Sequence, residues 1–211
     1  MPGDERQTSD EQLAAEAQDG SLEAFGGLVD RYHARIYHFL CHKTANPEDA
    51  QDVTQQVFIR AWQKIYQFRV EAKFATWLFT ITRRAAINHY RARGSRTMVE
   101  LKEADGKLVT SDTPASNLAE RDEHAALWVV ARRNLKDSQF TVLWLKYREG
   151  MSIKEMALAM GKRQVTTRVL LHRARKALGT ALRRPDAKIE SSQPTRPPKL
   201  KHEMTLQAGV A

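Results

Sequence analysis

The residues best suited to chemistry lie in one stretch that mixes aromatic rings with arginines. Residues 74–96 read FATWLFTITRRAAINHYRARGSR and contain no acidic residue. Arginines hold backbone phosphates, and aromatic rings stack on unpaired bases for roughly 1–3 kcal/mol each. Because flipping a base out of a duplex costs on the order of a few kcal/mol, a handful of rings can hold a few bases. The stretch is typical of a helix that binds nucleic acid. The alternative, for part of the stretch, is that Trp77, Phe79 and Ile81 are buried core residues.

A second basic stretch has the proportions of a helix-turn-helix. A short helix over 153–160 is followed by a turn containing Gly161 and then by a long basic helix. The residues expected to pack inward from that last helix are Leu171, Ala174, Leu178 and Leu182. The basic residues on its other side are Arg168, His172, Arg173, Arg175 and Lys176. An apolar back and a basic front suit the DNA major groove, and a solvated cationic face is the alternative.

Positive charge is concentrated in these two places. The chain has a net charge of +9. Residues 72–99 carry six basic and no acidic residues, and residues 131–184 carry fourteen basic and three acidic ones. The intervening residues 100–130 are acidic, with seven acidic and three basic residues. Two basic blocks separated in this way favour a nucleic acid partner over a merely soluble basic surface.

Other classes of protein are disfavoured by what the sequence lacks. The longest apolar run, Ala125–Ala131, is far shorter than the roughly 20 residues that span a bilayer, and the N-terminus has no apolar signal region. Cys41 is the only cysteine, which predicts a reducing, cytoplasmic setting without internal disulfides. His38 and His42 have metal-binding spacing but no convincing third ligand. We therefore expect no catalytic site, no metal, no cofactor and no membrane insertion.

Capping signals predict an all-α fold. Ser9 with Gln12, and Ser152 with Glu155, read as capping boxes. The helices are expected from Ser9 to before Asp19, from Ser21 to about His42, from Asn46 past Ile65, from Phe74 to about Arg93, from Asn117 to about Leu135, from Asp137 or Ser138 to Glu149, from Ser152 to Met160, and from after Arg163 to Arg184. Gly161 suits a left-handed helix end.

Composition divides the chain into two helical domains. We expect a first domain over 1–95, a polar linker over 96–117, a helix-turn-helix domain over 118–184 and a disordered tail over 185–211. The polar stretch from residue 94 to residue 117, fully extended, reaches about 80 Å at roughly 3.3 Å per residue. Such a linker allows the two domains to contact separate sites on one nucleic acid.

Three motifs, in this order, resemble those of the sigma factors of bacterial RNA polymerase. Residues 49–62 read DAQDVTQQVFIRAW and resemble the family's DAEDLVQETFLRAW segment. Residues 74–78 read FATWL, similar to its F-x-TWL segment, and residues 171–178 read LHRARKAL, the end of its recognition helix. With a long linker in place of a middle domain, the chain is similar to the compact extracytoplasmic-function (ECF) group.

The resemblance implies three sets of contacts. The first set is implied to bind the β′ and β subunits of the core polymerase. It comprises Asp49, Asp52, Gln55, Gln56 and Arg60. The set implied to hold and melt the downstream promoter element is Phe68, Arg69, Lys73, Phe74, Trp77, Arg83, Arg84, Asn88 and Arg91. The set implied to contact the upstream element is Thr166, Arg168, Val169, His172, Arg173 and Lys176. An anti-sigma factor is a further partner that the family commonly has.

Departures from the family pattern keep alternatives open. Gln51 and Gln56 stand where Glu is frequent, and Arg84 stands where Asn is frequent. Val169 and Leu170 replace a usual Ser and Arg, so no promoter sequence is carried over. The alternatives are a free-standing helix-turn-helix regulator, which leaves the aromatic and arginine stretch unexplained, and an adaptor whose tail binds a partner.

Overall fold

All regular secondary structure in the described residues is helical. A computed structural model describes residues 8–44, 46–69, 71–93 and 118–183. The first group comprises α1 (Asp10–Gln18), α2 (Leu22–Cys41), α3 (Pro47–Lys64), a 3₁₀ turn (Ile65–Gln67) and α4 (Phe74–Arg93). The second comprises α5 (Leu118–Asn134), α6 (Asp137–Tyr147), α7 (Ile153–Met160) and α8 (Gln164–Leu182). The all-α prediction is confirmed for these ranges, whereas the predicted linker, the predicted tail and the predicted cap at Asn117 lie outside them.

Local capping chemistry sets most helix starts where the sequence predicts them. The Ser9 hydroxyl accepts from the Gln12 N–H at 3.1 Å, and the Gln12 side chain accepts from the Ser9 N–H at 2.9 Å. The Asn46 side chain accepts from the Asp49 N–H at 2.7 Å, with Pro47 in the first turn of α3. These pairings satisfy backbone donors that have no partner within the helix. The predicted starts of α1 and α3 are confirmed.

Helix α6 differs from its prediction at both ends. It begins at Asp137 with Lys136 as its cap, because the Gln139 side chain accepts from the Lys136 N–H at 3.1 Å. It ends at Tyr147 rather than at Glu149. Asp137 is therefore not the cap, and its carboxylate instead accepts a hydrogen bond from Lys43, which follows the C-terminal end of α2. A distant partner has displaced the local capping role.

The core of the first group forms where α2, α3 and α4 meet. Leu28, Ile36, Val53, Val57 and Leu78 are fully buried there. These positions recur at helical spacing within their helices, so each helix contributes one apolar stripe. The outer faces of α3 and α4 are left available for contacts with other molecules.

The core of the second group is aromatic. Trp128 of α5 contacts Phe140 and Trp144 of α6, with ring centroids 5.7 and 4.9 Å away. From α8, Leu171 and Ala174 complete this core, as predicted. Leu182 is 47% exposed, which corrects its predicted inward position. The buried seam of α8 follows Thr167, Ala174 and Ala181, and Leu182 lies beside this seam at the end of the helix.

The two groups pack against each other through α4 and α7 and through the C-terminal end of α2. The Lys43 side chain, 3% exposed, donates to Asp137 and to the Thr141 hydroxyl at 2.7 Å. Arg35 forms an ion pair with Glu149, whose side chain is also 3% exposed. Sequence patterns indicate two domains but not this contact between them.

Gly161 caps the C-terminal end of α7 and begins the turn to α8, with a left-handed backbone φ of 60°. A Cβ there meets no atom within 4 Å, so a Gly161→Ala variant is strained only in its backbone. We expect it to lower the free energy of unfolding by about 1–2 kcal/mol. The control is Gly179→Ala inside α8, which meets nothing within 4 Å either and should stabilise by about 0.5–1 kcal/mol. Urea unfolding measures both, and equal effects would contradict the left-handed assignment.

His42 makes the packing of the two groups sensitive to acid. Its ring lies 5.4 Å from that of Phe140 and 5.2 Å from that of Trp144. Burial, reinforced by nearby positive groups such as Arg132, lowers the pKa of His42 to about 4. The neutral ring is therefore favoured in the fold. Its contribution is complete above the unfolded pKa of about 6.5 and is lost as pH falls toward 4.

We expect the free energy of unfolding to be about 2 kcal/mol lower at pH 5 than at pH 7 through His42 alone. Urea unfolding at the two pH values measures this difference. A His42→Gln variant keeps a polar side chain that does not titrate, so its free energy of unfolding should change less over the same interval. An unchanged pH difference in the variant would show that His42 is not the responsible group.

Candidate nucleic-acid interface

One face of α4 exposes a line of polar and basic residues. Arg84, Asn88 and Arg91 are exposed and lie four and three residues apart, which places them side by side along the helix. Trp77 lies on the same side, two turns before Arg84, and is half-buried. Arg83 is half-buried and lies about 100° around the helix from Arg84, away from this line. The α4 face, defined by Trp77, Arg84, Asn88 and Arg91, is the part of the predicted downstream set that forms one surface.

The rings of Phe68 and Phe74 lie in the core instead of on this face. They are 3% and 1% exposed. Both pack against Trp77, each with ring centroids 5.6 Å from it, and Phe74 also contacts Tyr32 at 5.4 Å. Direct stacking of these two rings on bases, as expected from the sequence, does not fit this placement. Their contacts instead hold the Trp77 ring in position. Of these three rings, Trp77 is the one that is partly exposed.

Two cations of the loop before α4 are accessible. Arg69 is exposed, and the Lys73 side chain is 68% exposed. The Lys73 ammonium lies 2.9 Å from a carboxylate oxygen of Glu155 in α7, and this hydrogen bond raises the pKa of Lys73. A phosphate that binds Lys73 must therefore compete with Glu155 of the second group.

The polar face of α3 forms a second surface. Asp52, Gln55 and Gln56 are exposed as one stripe, and Arg60 is half-buried at its end. Asp49 is 5% exposed and its carboxylate lies 3.7 Å from the His89 ring nitrogen of α4, so it belongs to the packing of α3 on α4.

Ile59, 49% exposed, joins the α3 stripe although the sequence analysis did not select it. The signal was available, because position 59 follows Gln55 and Gln56 by four and three residues. The α3 stripe is therefore Asp52, Gln55, Gln56 and Ile59, a mixed polar and apolar surface of the kind that binds other proteins.

The front of α8 is the third surface, and all six residues expected there are exposed. They are Thr166, Arg168, Val169, His172, Arg173 and Lys176. Val165, 68% exposed, was not selected from the sequence but shares this front. No acidic residue occurs between Glu155 and Asp186, so carboxylates of α8 itself do not offset the positive charge. A positive helix face presented in this way can contact the phosphates and base edges of a duplex.

Comparison with protein families shows what these surfaces belong to. The family model "Sigma-70 region 2" matches residues 28–96, and the model "Sigma-70, region 4" matches residues 133–178. The RNA polymerase sigma-H factor of Pseudomonas aeruginosa is 33% identical over 184 residues, covering 83% of this chain and 95% of the relative. The chain belongs to the sigma-70 family of RNA polymerase sigma factors.

Further relatives of this sigma factor are members of the ECF group. The ECF sigma factor SigW of Bacillus subtilis is 29% identical, covering 80% of the chain and 94% of the relative. The ECF sigma factor BldN of Streptomyces coelicolor is 30% identical over 81% of the chain, which spans 65% of that relative. As a sigma factor, the chain acts with core RNA polymerase and directs promoter-specific transcription initiation.

Two solved structures share the fold. They are CnrH in complex with the cytosolic domain of CnrY, and the sigma factor RpoE of Bartonella quintana in complex with the anti-sigma factor NepR. The first has a TM-score of 0.60 at 24% identity, covering 85% of this chain and 99% of that one. The second has a TM-score of 0.57 at 23% identity, covering 76% and 98%. At this identity the likeness concerns the fold.

Within the described ranges, no three metal-ligating side chains lie together, and no helix there is long and apolar enough to cross a bilayer. The α3 stripe and the α4 face fall in the region 2 match, and the α8 front falls in the region 4 match. The three surfaces are thus distributed over the two matched regions.

Proposed function

We propose that this sigma factor divides its work among the three surfaces. The α3 stripe binds the core polymerase, the α4 face with Arg69 and Lys73 holds the downstream promoter element, and the α8 front contacts the upstream element in the major groove. The observation that carries the proposal is the exposure of two cationic helix faces, one in each group of helices. Residues 1–95 and 118–184 then act as two domains, with 96–117 as the linker and 185–211 as a tail.

The energetics of melting assign Trp77 a central role within the downstream contacts. One stacked ring contributes roughly 1–3 kcal/mol, and one flipped base costs on the order of a few kcal/mol. With Phe68 and Phe74 buried, a single ring does not offset the cost of several flipped bases. The remaining stabilisation must come from phosphate and base contacts of Arg69, Arg84 and Asn88.

The partners follow from this division. Core polymerase and one promoter occupy the three surfaces, and we place the reaction in the cytoplasm, where bacterial polymerase works. Because two structures of the same fold are complexes with the cytosolic domain of CnrY and with the anti-sigma factor NepR, we include an anti-sigma factor among the partners of this chain.

Binding to promoter duplexes with and without polymerase tests the proposal. The protein alone should bind a promoter weakly and with little sequence preference, and core polymerase should confer tight, specific binding on the mixture. Fluorescence anisotropy with labelled duplexes measures both affinities. Tight and specific binding by the protein alone, unchanged by core polymerase, would instead favour a free-standing regulator.

Arg168 is expected to act through phosphate charge. An Arg168→Ala variant should weaken binding of the holoenzyme to promoters of different sequence about equally. It should also reduce the slope of log affinity against log salt concentration by about one, because one phosphate contact is lost. Arg183→Ala, at the exposed C-terminal end of α8, is the matched control and should leave the slope unchanged. An unaltered slope in the Arg168 variant would exclude a phosphate contact there.

A further inference from the structure

The middle of the α8 front is apolar in its N-terminal half, before His172 and Lys176. Val165 is 68% exposed and Val169 is 44% exposed, and they lie one helical turn apart. Valine is a poorer helix former than Arg, Lys, Gln or Glu, so two valines on a solvent-facing side weaken the helix while exposing apolar surface. Single exposed apolar residues are ordinary, but a pair at the start of a recognition helix coincides with the part that contacts base edges in a helix-turn-helix.

Helical geometry separates the valines from the arginines. Val165, Val169 and His172 follow one another by four and three residues, so they form one stripe along the middle of the face. At roughly 100° per residue, Arg168 falls to one side of this stripe and Arg173 to the other. A helix lying in the major groove directs its middle stripe to the base pairs and its flanks to the two phosphate backbones. The arginines therefore suit phosphates, and the valines suit base edges.

The base edge that fits an exposed valine is thymine. In the major groove the C5 methyl of thymine is the apolar group that base pairs present, whereas the other groups are hydrogen-bond donors and acceptors. One turn of helix advances about 5.4 Å, and successive base pairs are about 3.4 Å apart. Two valines one turn apart can thus contact methyl groups on base pairs one or two steps apart.

We propose that Val165 and Val169 are specificity-determining residues that recognise the C5 methyl groups of one or two thymines in the upstream promoter element. This inference rests on the proposed function of the α8 front and adds the chemistry by which it selects sequence. Each methyl contributes about fourfold in affinity, as expected for burial of one methyl-sized group. Arg168 and Arg173 contribute affinity that does not depend on sequence.

The test removes the methyl without altering base pairing. Holoenzyme formed from core polymerase and the full chain first selects promoters from genomic fragments, and footprinting locates the upstream element. Each thymine of that element is then replaced singly by deoxyuridine. We expect one or two replacements to weaken holoenzyme binding about fourfold, and we expect this penalty to disappear in Val165→Ala or Val169→Ala.

Controls separate this inference from the proposed function. Leu182→Ala removes a side chain of α8 that is 47% exposed but lies at the far end of the helix, and it should retain the deoxyuridine penalty. Alanine is a better helix former than valine, so circular dichroism should show intact helices in the valine variants. A protected upstream element that is insensitive to deoxyuridine, or a penalty unchanged in both valine variants, overturns this inference alone. Absence of any protected upstream element overturns the role of α8 itself.

Discussion

Replacing Arg84 and Asn88 together by alanine is expected to lower transcription from a duplex promoter about a hundredfold or more. Both side chains are exposed on the α4 face, so their removal leaves the core intact. Hydrogen bonds to charged groups contribute roughly 1.5–3 kcal/mol each, and the loss of one already corresponds to a tenfold effect or more. Affinity for core polymerase should stay within about twofold, because the α3 stripe is unaltered. Run-off transcription and a fluorescence titration with labelled core polymerase provide the two numbers.

A premelted template distinguishes melting from general damage in the Arg84 and Asn88 variant. If the α4 face acts by holding unpaired DNA, a promoter synthesised with an unpaired bubble should recover part of the lost transcription. In such a template the free energy of separating the strands no longer has to be supplied by the protein. Circular dichroism should show unchanged helix content. If the variant transcribed the fully paired promoter at the wild-type level, the assignment of this face would be contradicted.

An Ile59→Asp substitution is expected to weaken binding to core polymerase at least tenfold. Ile59 is 49% exposed in the middle of the α3 stripe, so a carboxylate there disturbs the contact and not the fold. A buried charge without a partner costs several kcal/mol in an interface, and central apolar residues often contribute about 2 kcal/mol or more to binding. The measurement is a titration of labelled sigma factor with core polymerase.

Leu22→Asp is the matched control for Ile59→Asp. Leu22 is 70% exposed at the first position of α2, where a carboxylate is favourable near the helix N-terminus. It introduces the same change in charge on a different helix and should leave polymerase affinity unchanged. Equal losses in the two variants, or no loss in Ile59→Asp, would remove the α3 stripe from the polymerase interface.

Sequence reasoning succeeded where the determining interactions are local. The caps at Ser9, Asn46 and Ser152 depend on partners three residues away, so they are visible in the sequence. The left-handed Gly161 and the buried positions Leu171 and Ala174 follow from the same short-range rules.

Long-range contacts explain where sequence reasoning fell short. Phe74 and Trp77 look alike in the sequence, but only Phe74 is buried against Tyr32 of another helix. Likewise, the sequence predicts Asp137 as a helix cap, but in the structure its carboxylate accepts a hydrogen bond from Lys43 of the other helical group. Such pairings depend on how helices pack, which periodicity alone does not determine.

Attention to charge also hid two apolar features of the interfaces. Ile59 and Val165 are absent from the predicted sets, because charge and motif resemblance point to polar and basic residues on those helices. Their exposure emerges only when the opposite side of each helix is known to be packed. An apolar residue on a helix face that periodicity assigns to solvent is the signal that would have found both.

Run-off transcription with purified core polymerase is the most direct test of the central claim, that this chain makes the polymerase begin at promoters. Core polymerase is incubated with genomic fragments of the bacterium that encodes the protein, with and without the full chain, and the 5′ ends of the transcripts are mapped. We expect discrete start sites that appear only in the presence of the protein and share separated upstream and downstream elements. Transcripts with the same scattered 5′ ends in both reactions would contradict the account.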